Sequence, residues 1–310
     1  MSKTNNKKVS IFSYYGPYKG LLALDLFFAT LGASVTLAMP LIVRYITGTV
    51  IYEESGAAWQ TILRLSALMI VLLLVELVCN FYITYWGHCM GARMEYGMRN
   101  DIFEHYQKLS FTFYDNQKVG QLMSRVTNDL FDITELLHHG PEDIIISLIK
   151  IVGALVILGH TNMRLTILTA CFLPFILAFA LYLNKRMKRV FKQNRVKMAD
   201  INGQIEDNLS GIRVVKSFAN EAIEMKKFKE GNDRFLATKR RSYLYMGTYQ
   251  SVLNAMLTAV TIVVVLAGSR LIVDGNMAIP DLITFLLYIA NFTEPVKKLI
   301  NFTEQFQNGY

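Results

Sequence analysis

Four ionisable residues, Asp25, Glu76, Lys150 and Glu294, stand inside otherwise apolar stretches of this sequence. An ionised group at the centre of a membrane helix costs about 2.5–3.5 kcal/mol on insertion scales, so such a residue faces a partner or a watery cavity. Two chemistries fit. Glu76 and Lys150 form an ion pair between neighbouring spans, or the carboxylates line a cavity that takes a cationic amphiphile. Candidate cavity residues are Asp25, Glu76, Tyr249, Tyr288 and Glu294. Asp25 also suits the inner interface, and ordinary helix packing is the better default for the aromatic residues, which are common in any span. Arg44 and Arg64, near span ends, reach the interface by snorkelling. Cys79, Cys89 and Cys171 are scattered and odd in number, so no disulfide and no metal site is expected. No catalytic residue is expected either.

The elements that would position these residues are membrane helices. Hydrophobic residues make up 53% of the sequence and charged residues 18%, with a mean hydropathy of +0.30, high for a soluble domain. A bilayer core about 30 Å thick takes roughly 20 helical residues to cross, and lipid leaves no other partner for the backbone than the helix itself. The apolar stretches predict six spans, at 20–50, 61–87, 141–159, 164–183, 243–270 and 282–305. Residues 1–19, with Phe12, Tyr14, Tyr15 and Tyr18 among lysines, predict an interfacial segment before the first span.

Three linkers are short and two, 88–140 and 184–242, are long. Seven lysines and arginines follow span four, from Lys185 to Lys197, and Lys239, Arg240 and Arg241 precede span five, whereas the short linkers are poor in them. Basic residues near span ends stay in the cytoplasm, so both termini and both long linkers are expected inside. The net charge of +8 is then topology and attraction to anionic lipid. No separate basic domain exists, which argues against a nucleic-acid partner.

Neither long linker reads as a loose loop. Met94, Met98, Ile102, Tyr106 and Leu109 recur at helical spacing, so span two continues as one helix from about 61 to 110. A break at 113–120 (FYDNQKVG) precedes a return to helix. The second linker repeats the plan, with a break near Ser210-Gly211 and helix again through 215–235. Each linker is thus a helical hairpin whose tip presents apolar residues, Phe113, Tyr114 and Val119 in one, Ile212, Val214, Val215 and Phe218 in the other. Such tips imply a docked partner or packing of the hairpins on each other.

These tip sequences carry a resemblance. FYDNQKVGQLMSRVTNDL and EDNLSGIRVVKSFANEAIEMKKF are similar to the first and second intracellular loops of ATP-binding cassette exporters, and the lead-in to span six, GSRLIVDGNMAIPDLITFLLYIANFTEPVKKL, resembles theirs too. The resemblance implies an all-α exporter-type membrane domain of six long helices, residues 20–310, dimeric with a second such domain, identical or different. It implies coupling to nucleotide-binding domains through Asp115, Asn116, Gln117, Lys118, Val119 and Gly120 and through Ser210, Gly211, Ile212, Arg213, Val214, Val215, Lys216 and Ser217. Lipophilic, drug-like or lipid substrates would cross a bacterial plasma membrane, and membrane lipid would be a standing partner.

No G-x-x-x-x-G-K-[ST] phosphate loop occurs in the sequence. ATP and Mg2+ are therefore expected in a nucleotide-binding domain elsewhere, most simply in a longer parent protein from which this domain is cut. A different class, a non-catalytic membrane scaffold or channel-regulating module, would show the same helices with no cassette.

Overall fold

The computed structural model describes residues 11–115, 117, 119–289, 291, 295 and 298, and every regular element among them is a helix. A 3-10 segment, Ile11–Tyr18, runs into α1 (Lys19–Gly48). The next helix, α2 (Ser55–Tyr82), passes through one π-helical stretch, Ile83–Gly87, into α3 (His88–Gln107). Two single turns, α4 (Phe111–Asp115) and α5 (Val119–Ser124), and a second π stretch, Arg125–Asp129, lead to α6 (Leu130–Thr161). The chain continues as α7 (Met163–Ser210), α8 (Ile212–Ser217), α9 (Glu221–Val273) and a short apolar α10 (Ile279–Ile289).

Five stretches are long and apolar enough to cross a membrane: Ile11–Tyr52, Ser55–Gln107, Leu122–Thr161, Met163–Ser210 and Glu221–Val273. The expected continuous helix through 61–110 is present, with the π stretch inside it. The sixth expected span starts in α10, and most of its remainder lies outside the described residues. Spans three and four are separated by Asn162 alone. Its extended backbone ends α6, and its side-chain oxygen accepts the Leu165 N–H at 3.1 Å, which caps the start of α7.

One boundary differs from the periodic pattern. Helix does not run unbroken from Val215; α8 closes at Ser217 and α9 opens at Glu221. Ala219 has φ 50°, the Asn220 N–H donates to the Val215 carbonyl and the Ala219 N–H to that of Lys216. This is a left-handed C-terminal cap built on alanine where glycine is usual, so the composition gave no sign of it.

The chain divides into two compact units, 1–170 with 263–310, and 171–262. In the first, α1 packs on α2 and α6 through small residues. Ala29 and Ala33 meet Ile83 and Ile146, and a Cβ on Gly32 would sit 3.3 Å from that of Cys79. Small side chains let helix axes approach where lipid supplies no hydrophobic drive between helices. Below them Met90, Met94, Met98, Leu130 and Leu137 form a second cluster. Tyr14, Tyr15 and Tyr18 pack against it, and the Tyr14 hydroxyl donates to Asp101 Oδ2 at 2.6 Å. The aromatic residues before span one therefore bind protein as well as any interface.

In the second unit the later part of α7 and the earlier part of α9 pair as a hairpin closed by α8. Asn194 donates to the Ser242 hydroxyl at 2.5 Å, and Asn208 to Glu224 at 3.2 Å. Gly231 is buried beside Gln204, whose Oε1 would lie 2.6 Å from a Cβ at that position, so a larger residue there would displace the Gln204 side chain.

Candidate functional site

The second tip is built by two long helices. α7 has 48 residues and α9 has 53, about 72 and 80 Å at 1.5 Å per residue. Each is more than twice a bilayer core, so the tip stands far from the apolar part of either helix. Gly211 separates α7 from α8, and a Cβ there would come within 3.1 Å of the Asp207 carbonyl. On α8, Ile212, Arg213, Val214, Lys216 and Ser217 are exposed and Val215 is half-buried. Val214 is 60% and the following Phe218 72% exposed, an apolar face with nothing of this unit covering it. Beside it lies an open groove of about 970 Å³, lined by Gln204, Asn208, Ile212, Val215, Glu224 and Phe228 among others. Lys216 bridges from α8 to Glu221 at 3.2 Å.

The first tip is shorter. Phe113 and Tyr114 stand edge to face with centroids 5.4 Å apart, and the Tyr114 hydroxyl donates back to the Tyr106 carbonyl. Asp115 is exposed and Gln117 half-buried, Val119 and Gly120 open α5, and Asn116 and Lys118 lie outside the described residues. Phe111 is fully displayed.

Asp25 of α1 is buried, 1% exposed. Glu76 is half-buried and accepts from the Thr36 hydroxyl at 3.3 Å, a link between α1 and α2. Tyr288 is buried and donates to the Leu37 carbonyl of α1, so in the single chain it packs a helix contact rather than facing a cavity. Tyr249 belongs to the other unit, and Glu294 lies outside the described residues. Arg44 does more than snorkel: its Nε and Nη2 both reach Asp281 Oδ1 at 2.7 Å, which ties α1 to the start of α10.

Around Asp25 the structure assembles residues that the sequence left unremarked. His138 and Glu142, one turn apart on α6, are 1% and 6% exposed. One ligand-capable atom from each of Asp25, His138 and Glu142 lies within 4.8 Å of the others, and His88 and His139 form a second such group with His138. Gly87, in the π stretch, makes the room. A Cβ there would overlap the His138 ring and stand 3.0 Å from Asp25 Oδ1. Two local signals existed. Asp25 is in helical register with Ala29, Gly32 and Ala33, the packing face of α1, and His138–Glu142 has the spacing that places both on one helix face.

Two long helices closed by a short exposed helix can act as a lever that carries movement along their length. The comparisons with known proteins agree in kind. The ABC transporter transmembrane region matches residues 22–296. The chain is 37% identical over 96% of its length to the uncharacterized ABC transporter ATP-binding protein YwjA of Bacillus subtilis, covering 51% of that protein. It is 25% identical over 92% of its length to the putative multidrug export ATP-binding/permease protein YgaD of the same organism, covering 50%. A putative multidrug export ATP-binding/permease protein of Staphylococcus aureus, SAOUHSC_02003, is 24% identical over 88% of the chain and 48% of its own length. The chain thus spans about half the length of the curated relatives it matches. With the match covering nearly all of its helices, the chain belongs to the ABC transporter transmembrane region family, as the membrane domain of an ABC exporter.

Proposed function

We propose that this domain lines the substrate pathway of an ATP-driven exporter of lipophilic, drug-like or lipid compounds, paired with a second membrane domain. Nucleotide-binding domains, which would hold ATP and Mg2+, dock on α8 and on the 115–120 stretch. Both tips and both termini lie in the cytoplasm of a bacterium, on the grounds of the basic residues that flank spans four and five. The observation that carries the reading is α8, with Val214 and Phe218 displayed at the far end of two helices too long for any bilayer. A partner that covers these side chains gains roughly 25 cal/mol per Å² of apolar surface removed from water. The names of two relatives, both putative multidrug exporters, support the substrate class.

The test uses the intact protein in proteoliposomes. Phe218→Ala and Val214→Asp should cut ATP-driven efflux of a lipophilic dye by about tenfold or more, a loss of about 1.4 kcal/mol of coupling. ATP hydrolysis should stay near the wild-type level. Dye efflux at the wild-type rate in both variants would remove α8 from the docking surface.

A further inference from the structure

Asp25, His138 and Glu142 are three polar side chains from two helices, each more than nine-tenths buried. Among the described residues, neither oxygen of Asp25, neither ring nitrogen of His138, nor Glu142 Oε2 has a hydrogen-bond partner. Buried polar groups are nearly always satisfied, and each exception needs a cause. The next residue is paired, Asp143 with Lys298 at 3.0 Å, while Glu142 Oε2 meets His139 Nδ1 at 3.8 Å, beyond hydrogen-bond distance.

Two buried carboxylates this close repel unless something neutralises both. Protons shared among the three groups would draw them into hydrogen bonds, yet the atoms lie within 4.8 Å without forming any. A bridging ion fits that spacing better. Zinc holds carboxylate oxygen and imidazole nitrogen at about 2.0–2.2 Å in a tetrahedron, so ligand atoms around one ion stand about 3.4 Å apart, inside the 4.8 Å within which the three atoms lie. Two carboxylates with one dication also make a neutral centre, which burial among apolar helices favours. The donor set, two oxygens and one imidazole nitrogen without thiolate, selects a borderline divalent metal over copper(I).

The surroundings match a built site. Gly87 and Gly91, one turn apart, keep the α2–α3 backbone clear of the His138 side chain. His88 is fixed by its Nδ1 on the Thr84 carbonyl at 2.6 Å, its ring centroid 4.8 Å from that of His138. His139 lies with Nε2 3.4 Å from Glu135 and Nδ1 3.8 Å from Glu142 Oε2. Imidazoles so placed can orient a liganding carboxylate or lead an ion inward.

We propose that Asp25, His138 and Glu142 bind one divalent transition-metal ion of the zinc class, which pins α1 to α6 at the end of the span that carries Asp25, with His88 and His139 as flanking residues outside the ligand set. This assignment does not depend on the export reading.

The experiment takes the intact protein, purified through a histidine-free tag with nucleotide and metal removed, and titrates it with Zn2+ and with Co2+. One equivalent of zinc per chain should remain after dialysis, with a visible Co2+ spectrum that zinc abolishes and a raised thermal midpoint on zinc addition. Asp25→Asn, Glu142→Gln and His138→Ala should each weaken binding by about 100-fold or more, while His88→Ala should change it by less than about tenfold. The two amide variants keep shape, so they decide the matter if the His138 variant does not fold. Less than about 0.1 equivalent of zinc, or a full equivalent that survives both amide variants, overturns the assignment. Loss of binding in a His88→Ala, His139→Ala double variant with Asp25→Asn still competent would also overturn it, by moving the ion to the three histidines.

Discussion

Asp25 and Arg44 sit on the same helix, about 29 Å apart at 1.5 Å per residue, which is close to the thickness of a bilayer core. Their surroundings are opposite. Arg44 meets Asp281 through two nitrogens, and Asp281 also approaches the Ala278 N–H at 3.4 Å, so that end of α1 is tied to α10 with its charges matched. Asp25 is more deeply buried and, among the described residues, has no hydrogen-bond partner. A matched pair at a span end fastens two helices. A buried unmatched carboxylate beside a second one holds the protein in a costly arrangement that an added cation or proton relieves.

The strongest way to break this contrast is to fill the space that allows it. Gly87→Ala puts a methyl group into the His138 ring, and overpacking of this kind costs about 1–3 kcal/mol. The variant should show the largest fall in thermal midpoint of those considered, and His138→Ala in the same chain should restore most of it. A neutral Gly87→Ala would mean that the α3–α6 contact is looser than the distances show.

The next effect tests the sign of the contrast. Asp281→Ala leaves Arg44 without its acceptor; hydrogen bonds to charged groups contribute about 1.5–3 kcal/mol. The Arg44 side chain is 39% exposed, and solvent screening lowers the expected loss to about 1 kcal/mol. Asp25→Asn should do the reverse in metal-free protein, leaving the midpoint unchanged or raised, because it removes a buried charge that nothing pairs. Chemical denaturation of both variants checks this. Equal destabilisation by both would erase the difference between the two ends.

How much of this the sequence carried depends on whether the cause was local. The continuation of span two, the short linker between spans three and four and the break at Gly211 follow from apolar runs and turn residues within a few positions, and they were legible. The short α8 was half-legible, because Gly211 marks its start while its end is a left-handed alanine, Ala219. The Arg44–Asp281 pair joins residues 237 positions apart, so Arg44 alone looked like a snorkelling cation. The Asp25 cluster brings together residues of α1 and α6 with Gly87 of the π stretch against His138, which no single periodic pattern contains.

A smaller effect lies between the two ends of α1. Tyr288→Phe removes the buried hydroxyl that donates to the Leu37 carbonyl, halfway along the helix. The cost should be about 0.5–1 kcal/mol, the net contribution of one neutral hydrogen bond. It should appear equally with and without zinc. A Tyr288→Phe effect that grows when zinc is present would instead tie the middle of α1 to the Asp25 end.

The smallest effect belongs to a pair that is matched but solvated. Lys216 and Glu221 meet at 3.2 Å across the α8–α9 junction, both well exposed. The Glu221 carboxyl is held below its usual 4.5, first by the backbone N–H at its own helix start and then by Lys216. A carboxylate with a lowered folded pKa contributes stability that is complete above the unfolded value and is lost as pH falls through the folded one. The protection factors of the α8 amides, with the intrinsic pH dependence of exchange divided out, should therefore be flat above about pH 4.5 and fall only below it. Lys216→Ala should leave that profile mostly in place, since the backbone contribution is the larger, and should not move the thermal midpoint at neutral pH. If Lys216→Ala cost as much as Asp281→Ala, pairing alone would set the strength of these contacts. The contrast along α1 requires instead that burial decides it, because water screens Lys216 and Glu221 and reaches Asp281 far less.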